Sequence, residues 1–346
     1  MLCTMDKKIA LLLLALPVLI GTGCKPLSNS SSTSDRLEDR TRRFLLAALK
    51  DQDPLVRVHA LESLALLQDS RLIPEIRRHL SDAIPAVRFA AAVALGDLRD
   101  LASRNSLQQL VHDQNASVQL AAGYALEKLG DRNFIRWYDN ILFSRDEKLA
   151  GLACVLLGKL GKTALRKNSE EQLWAVFRMP NQLPTVQLQA AEALARLGDQ
   201  KILKKLMIFA SSIYADDRLL AIEGLRHLGG QDVFAQLSVL AEDPQIEVAL
   251  AAIGALGTLA DKKQIQYARD GLNHQDPEGN TLATRRVRTL AILALGRVGA
   301  PADIKRLGDL MTASAPSMHI KIAAARAVIE HLQSVRKNQN LTPLKT

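Results

Sequence analysis

Residues 82–112 read DAIPAVRFAAAVALGDLRDLASRNSLQQLVH, and the pattern inside them recurs along nearly the whole chain. Val87, Ala91, Leu95 and Leu98 are three or four residues apart and so fall on one helical stripe. The first of these positions returns as Val56, Val87, Val118, Leu149, Val186, Asp217, Val248, Val287 and Ile320. Four residues on, every copy has alanine: Ala60, Ala91, Ala122, Ala153, Ala190, Ala221, Ala252, Ala291 and Ala324. Eight residues on come Leu64, Leu95, Leu126, Leu157, Leu194, Leu225, Leu256, Leu295 and Val328. The steps are 31, 31, 31, 37, 31, 31, 39 and 33 residues. Nine matches at a period near thirty predict an all-α fold, an α-solenoid of about nine stacked helical hairpins. The pattern decides the fold and is silent about a ligand.

Within a unit, Asp51, Asp82, Asp113 and Asp243 each stand five residues before the stripe and are expected to cap the first helix. Pro54, Pro85 and Pro184 suit its first turn, where a missing amide hydrogen costs nothing. This helix should run about fourteen residues. It should end at breaks such as Leu129-Gly130-Asp131 and Leu197-Gly198-Asp199. A second helix follows, with apolar residues such as Ile73, Ile76 and Leu80, or Leu203, Leu206 and Phe209. The alanine repeated in every unit predicts a recurrent close approach of two helices. The run Asp-x-x-Pro-x-Val-Arg-x-x-Ala of residues 82–91 resembles the HEAT repeat, specifically the short variety first known from phycobilin lyases. The resemblance covers residues 51 to about 332. It implies that Arg57, Arg88, Arg218, Arg288 and Lys321 form a ladder with acidic groups of the adjoining repeats, interrupted at Gln119, Ala150, Gln187 and Ala249. It also implies that the α-solenoid is right-handed and that the second helices line the concave face.

Ahead of the repeats, Lys7 and Lys8 precede an apolar run from Ile9 to Ile20 that ends in Gly21-Thr22-Gly23-Cys24. This run falls short of the about 20 residues needed to span a bilayer, and its basic head and small-residue end describe a secretory signal peptide. The segment resembles the lipobox of bacterial lipoproteins, with Gly21 standing where that family prefers leucine. The resemblance implies that residues 1–23 are removed and that Cys24 carries the lipid. Lys25, in place of an aspartate, implies sorting to the periplasmic face of an outer membrane. A plain signal peptide or an apolar anchor is the alternative, and Met5 is an alternative start. Residues 24–35 then form the lipidated cysteine and a serine-rich tether with a reach of roughly 18 Å. Residues 36–50 form a capping helix with a charged outer face, 51–334 the solenoid, and 335–346 a polar, frayed tail.

Hydrophobic residues make up 48% of the chain and aromatics 4%, which fits a core of Leu, Ala and Val. Net charge is +9; the signal segment holds two lysines and one aspartate, leaving +8 afterwards. For an exported, anchored chain this balance points away from nucleic acid and towards an anionic envelope component or an acidic protein surface. Only Cys24 and Cys154 remain after cleavage, so there is no disulfide framework, and Cys154 beside Ala153 reads as a small core residue.

The seven histidines show no pairing at zinc-ligand spacing, and no nucleophile elbow or phosphate-cradling loop is present. No catalytic residue, metal or cofactor is therefore expected. The departures from the repeat are more informative. Extra residues collect in Met179–Thr185 and His274–Thr284, both between a second helix and the next first helix, hence on one edge. Eight of the 13 aromatic residues, Trp137 and Trp174 among them, lie in or just after the second helices of the third to fifth units. Trp137 and Tyr267 occupy a register position that is polar in most units, and Trp137 reads equally as an anchor or as space-filling. Lys205, Arg269 and Arg306 add a basic character to the same helices. The expectation is a lipid-anchored scaffold or adaptor without chemistry, binding a protein or envelope polymer through these residues. Attachment of a prosthetic group, as in bilin lyases, is the alternative that the HEAT resemblance implies.

Overall fold

A computed structural model describes residues 33–131, 133–161, 166–180 and 182–341. The signal segment, Cys24, the tether up to residue 32 and residues 342–346 lie outside the described residues. Among the described residues there are eighteen α-helices and no strand. The nine first helices are α2 (Pro54–Leu66), α4 (Pro85–Asp97), α6 (Ala116–Lys128), α8 (Glu147–Leu160), α10 (Pro184–Arg196), α12 (Ala215–Leu228), α14 (Ile246–Leu256), α16 (Thr281–Val298) and α18 (Met318–Leu341). Before each comes a partner: α1 (Thr33–Ala48), α3 (Ile73–Arg78), α5 (Arg104–Leu110), α7 (Ile135–Leu142), α9 (Arg166–Arg178), α11 (Leu203–Phe209), α13 (Gln231–Leu240), α15 (Lys262–Gly271) and α17 (Pro301–Leu310).

The stripe holds this layout together. All nine repeated alanines are fully buried, and the leucines and valine four residues later are at most 4% accessible. Ala291 shows why the position stays small: a Cβ placed on Gly271 of α15 would lie 2.9 Å from its methyl. First helices also press on one another. A Cβ on Gly96 of α4 would lie 2.7 Å from the Ala125 Cα in α6, and one on Gly158 of α8 2.9 Å from the Ala193 Cα in α10.

The turn chemistry differs from the sequence expectation in one respect. Asp51, Asp82, Asp113 and Asp243 do not cap the helices; each accepts the backbone N–H two residues on, at Asp53, Ile84, Asn115 and Gln245. The N-cap positions themselves belong to Asp53, Ile84, Asn115 and Gln245. The carboxylates of Asp82, Asp113 and Asp243 also serve the expected ladder, in which Arg288 and Lys321 form no rung among the described residues. Arg57 grips Asp82 at 3.1 Å, Arg88 grips Asp113 at 2.9 Å, and Arg218 grips Asp243 at 2.8 and 2.9 Å, each across 25 residues.

The solenoid does not remain open. α18 packs against α1 and α2 as it does against α16 and α17. Gln333 donates to the Leu66 carbonyl, Arg326 reaches Glu62 at 3.5 Å, and His319 meets Asp53 at 3.1 Å. Arg336 pairs with Glu38, and a Cβ on Gly308 of α17 would lie 2.8 Å from the Leu37 side chain of α1. The first helices therefore form a closed ring of nine. Two expectations are corrected by this. The first helix is not a free solvated cap, because α17 and α18 cover it. The segment after Val335 does not fray at once: α18 continues to Leu341, and Arg336 finds its partner in Glu38 across the closure.

Ring closure also settles which layer is inside. Neighbouring first helices pack on each other all the way round, whereas the second helices touch mainly the first helices beside them. The tightly packed layer has the smaller circumference, so the first helices form the inner wall and the second helices the outer shell. The implied concave-face role of the second helices is corrected accordingly.

Candidate functional site

Two surfaces follow from the ring: its lumen and its edges. Each inner helix buries the alanine stripe outward against the shell and turns another face to the lumen. On that face Leu55, His59 and Ser63 of α2 line the same cavity as Leu219, Leu220 and Glu223 of α12, which is possible only across a flattened ring. α14, α16 and α18 complete the cavity, whose volume is about 550 Å³. Its middle is apolar, with Leu219, Leu220, Leu290, Leu293, Ile322 and Ala323.

Below this layer the wall is charged and paired. Glu62 meets His59 at 3.3 Å and Arg326 at 3.5 Å; Arg326 also meets Glu330 at 3.0 Å, and Glu330 meets Arg297 at 3.0 Å. The network thus runs from α2 through α18 to α16, across the closure. Burial pushes the Glu62 carboxyl upward, but the His59 hydrogen bond and the charges of His59 and Arg326 leave it below the usual range. Glu330 behaves alike, its burial outweighed by Arg297 and Arg326. Farther round, Glu192 holds Arg196 at 2.6 Å and His227 at 3.5 Å, and Glu223 holds Arg226 at 2.8 Å. Asp97 accepts from the Tyr124 hydroxyl and, at 2.9 Å, from Lys159; Lys128 and Lys159 sit 5.9 and 5.8 Å from the Tyr124 ring centre. Burial lowers the Lys128 ammonium below its ordinary value against the pull of Asp97. The arrangement binds charge to charge and leaves an apolar chamber above it. Among the described residues no group of three His, Cys, Asp or Glu side chains is placed to hold a metal ion, and no helix is long and apolar enough to cross a membrane.

The two edges differ. Large apolar side chains stand exposed where outer helices turn into inner ones: Leu55 51%, Ile84 38%, Phe143 42%, Met179 36%, Leu183 45%, Ile213 85%, Tyr214 67% and Leu282 54%. These are eight of the fourteen such residues among those described; the opposite edge has Leu101, Leu259 and Val335. Both insertions open onto the apolar edge, as their spacing predicts. The second is only partly a loop: Asp276 accepts from the backbone of Glu278 and Asn280, Asn280 caps α16, and residues 281–284 are already helical.

The residues singled out from sequence are not brought together. Trp137 lies in α7, but its side chain is outside the described residues. Trp174 in α9 is half-buried, donates its indole N–H to Asp199 at 2.7 Å and stacks under the Arg178 guanidinium at 4.5 Å. Arg269 in α15 grips Asp303 at 2.8 and 2.9 Å. These belong to a second ladder on the edge opposite the apolar one, with Arg42 on Asp69 at 3.2 Å and Arg77 on Asp100 at 2.5 Å. Packing between units accounts for Trp174 and Arg269. Tyr267, Lys205 and Arg306 are exposed on the outer shell, in α15, α11 and α17, on three separate units. Cys154 is fully buried as expected, its thiol pushed up to about 12 by burial. The lumen escaped the sequence reading, although a signal existed: the first helices are apolar on two faces, which a helix packed on one side alone does not need.

A family model for HEAT repeats matches residues 42–127. No curated protein matches the chain. Among solved structures, the complex of CpcE and CpcF of phycocyanin lyase from Nostoc is similar at 18% identity and a TM-score of 0.42, over 79% of this chain and 98% of that one. Human deoxyhypusine hydroxylase is similar at 19% identity and a TM-score of 0.39, over 86% and 97% of the two chains. Kap121p bound to Nup53p is similar at 16% identity and a TM-score of 0.33, over 87% of this chain and 39% of Kap121p.

Proposed function

We propose that the protein is a non-catalytic adaptor of the cell envelope, lipid-anchored through Cys24, that holds a protein partner on the apolar edge of its ring. One observation carries this reading: eight of fourteen exposed large apolar residues crowd a single edge. Scattered exposed leucines need no explanation, whereas large apolar side chains gathered along one edge are what an interface uses. The chain path adds an orientation. α1 is an outer helix that ends at the apolar edge, so its start at Thr33 lies at the opposite one. A lipid attached at Cys24 would therefore hold the opposite edge towards the membrane and leave the apolar edge facing the periplasm.

Photo-cross-linking residues placed at Ile213 and at Leu101 of the full chain in its native host test the reading. Adducts to a defined partner from position 213 and none from position 101 support it; equal adducts from both refute the edge assignment. For the anchor, Cys24→Ser abolishes incorporation of a fatty-acid analogue, and undiminished incorporation contradicts it.

A further inference from the structure

The lumen has a mouth, an apolar middle and a floor of paired charges, and each is chemically distinct. At the mouth, the second insertion starts α16 at Thr281, six residues before its stripe position Val287; the other inner helices on the regular register start two before. The extension adds Leu282 to the rim of the cavity, beside Arg285 and Arg286, which occupy the two register positions where the other inner helices begin. Arg285 forms no ion pair among the described residues. The nearest carboxylate to Arg286 is Asp216 at 4.0 Å, with both side chains more than half exposed, so that contact contributes little. The imidazole at the mouth, His319, is occupied by Asp53 at 3.1 Å. Two guanidiniums are thus left with acceptor-seeking donors at the entrance to an apolar chamber.

The floor offers the opposite condition. Arg326 is shared between Glu330 and Glu62, and Glu223 is held by Arg226. Among the described residues, no charge lining that end of the cavity is left over for a ligand. Between mouth and floor the walls are Leu219, Leu220, Leu290, Leu293 and Ile322. From Arg285 to Leu293 the α16 wall descends eight residues, or about 12 Å. The ring closes the sides, leaving entry along the axis for something slender.

We infer that this lumen binds a linear amphipathic anion, an aliphatic chain ending in a single carboxylate. The carboxylate sits between Arg285 and Arg286, whose planar donors match its two oxygens. The chain points inward among the leucines, where the surface is mainly apolar and water has few partners. Charge complementarity fixes the polarity of binding: among the described residues that line the cavity, the unpaired guanidiniums stand at the mouth, whereas Arg326 at the floor is paired. The site is separate from the docking role of the apolar edge, although Leu55 and Leu282 belong to both.

Calorimetric titration of the full chain carrying Cys24→Ser with dodecanoate, below its micelle concentration, tests the inference. The expected result is saturable binding of one molecule per chain. Arg285→Gln/Arg286→Gln weakens it by at least about tenfold, because the carboxylate loses both charged donors. Dodecanol binds more weakly by a similar factor, and acetate does not bind measurably. Leu290→Trp fills the chamber and removes binding; Leu219→Trp, from the facing wall, replaces it if the first variant lowers the melting midpoint. The inference is overturned by an absence of saturable binding to the parent chain, by equal binding of dodecanol, or by binding that survives both the paired arginine substitution and the tryptophan.

Discussion

Replacing Gly296 with alanine tests the packing of the inner wall at one atom. Gly296 is the third residue from the end of α16, and a Cβ there would lie 2.7 Å from the Ala327 Cβ, 2.8 Å from its carbonyl oxygen and 2.9 Å from its Cα. Two of these three obstacles are backbone atoms of α18 and cannot rotate away. Gly254 is the matched control, also third from the end of its helix, α14; its Cβ would meet nothing nearer than the Ala294 Cα at 3.3 Å. Both substitutions gain about 1 kcal/mol of helix propensity. Only Gly296→Ala incurs overpacking, which at the upper end of its range costs about 3 kcal/mol. The expected outcome is a net loss of about 2 kcal/mol for Gly296→Ala, and for Gly254→Ala a change between zero and a gain of about 1 kcal/mol. Denaturant midpoints followed by far-ultraviolet circular dichroism read the difference. Equal midpoints for the two variants would refute the register of the inner wall.

The first ladder supplies a second prediction: Arg88→Ala, which strands the Asp113 carboxylate at 9% side-chain accessibility, lowers the melting midpoint, while Lys263→Ala, removing an exposed pair, leaves it unchanged. Acid stability gives the third. The carboxyls of Glu62, Glu192, Glu223 and Glu330 titrate below their unfolded value of about 4.3, so the stability they contribute is present above that pH and is lost as pH falls through their lowered folded values. His331, lowered by burial while it faces the Gly296 carbonyl, adds a gentler loss that begins as pH falls below about 6.5 and continues through its folded value. Midpoints measured between pH 8 and pH 3, at about one-unit steps, check both phases, and His331→Gln removes the gentler one.

The repeat was legible in the sequence because its cause is local. A stripe of Val, Ala and Leu at four-residue spacing declares one buried helix face, and all nine alanines are buried where that spacing puts them. The Arg57, Arg88 and Arg218 rungs were equally legible, since a side chain and its partner always lie 25 residues apart. Closure was not legible. It joins Glu62 to Arg326, 264 residues away, and depends on a small rotation at each of the interfaces between. No single residue encodes that sum. The exchange of inner and outer layers follows from the same rotation, and it moved every candidate anchor to the shell. Trp174 and Arg269 were misleading for a different reason: an aromatic and a cation on the second helices look like ligand contacts until Asp199 and Asp303 of the neighbouring units are seen opposite them. The Trp174–Asp199 pair has the 25-residue interval of the first ladder, a signal open to sequence alone.

The claim on which the rest depends is that the ring is closed, and pulsed electron spin resonance tests it directly. Leu55 of α2, Arg286 of α16 and His319 of α18 occupy the same register position, one residue before the stripe. With Cys3 and Cys24 changed to serine and Cys154 buried beyond reach of a label, nitroxides are attached to Leu55→Cys/His319→Cys and, as the sequential-neighbour standard, to Arg286→Cys/His319→Cys. A closed ring predicts that the first pair gives a distance as short and as narrow as the standard. A long, broad distribution for the first pair beside a short one for the standard would mean an open solenoid, and the lumen would lose its wall.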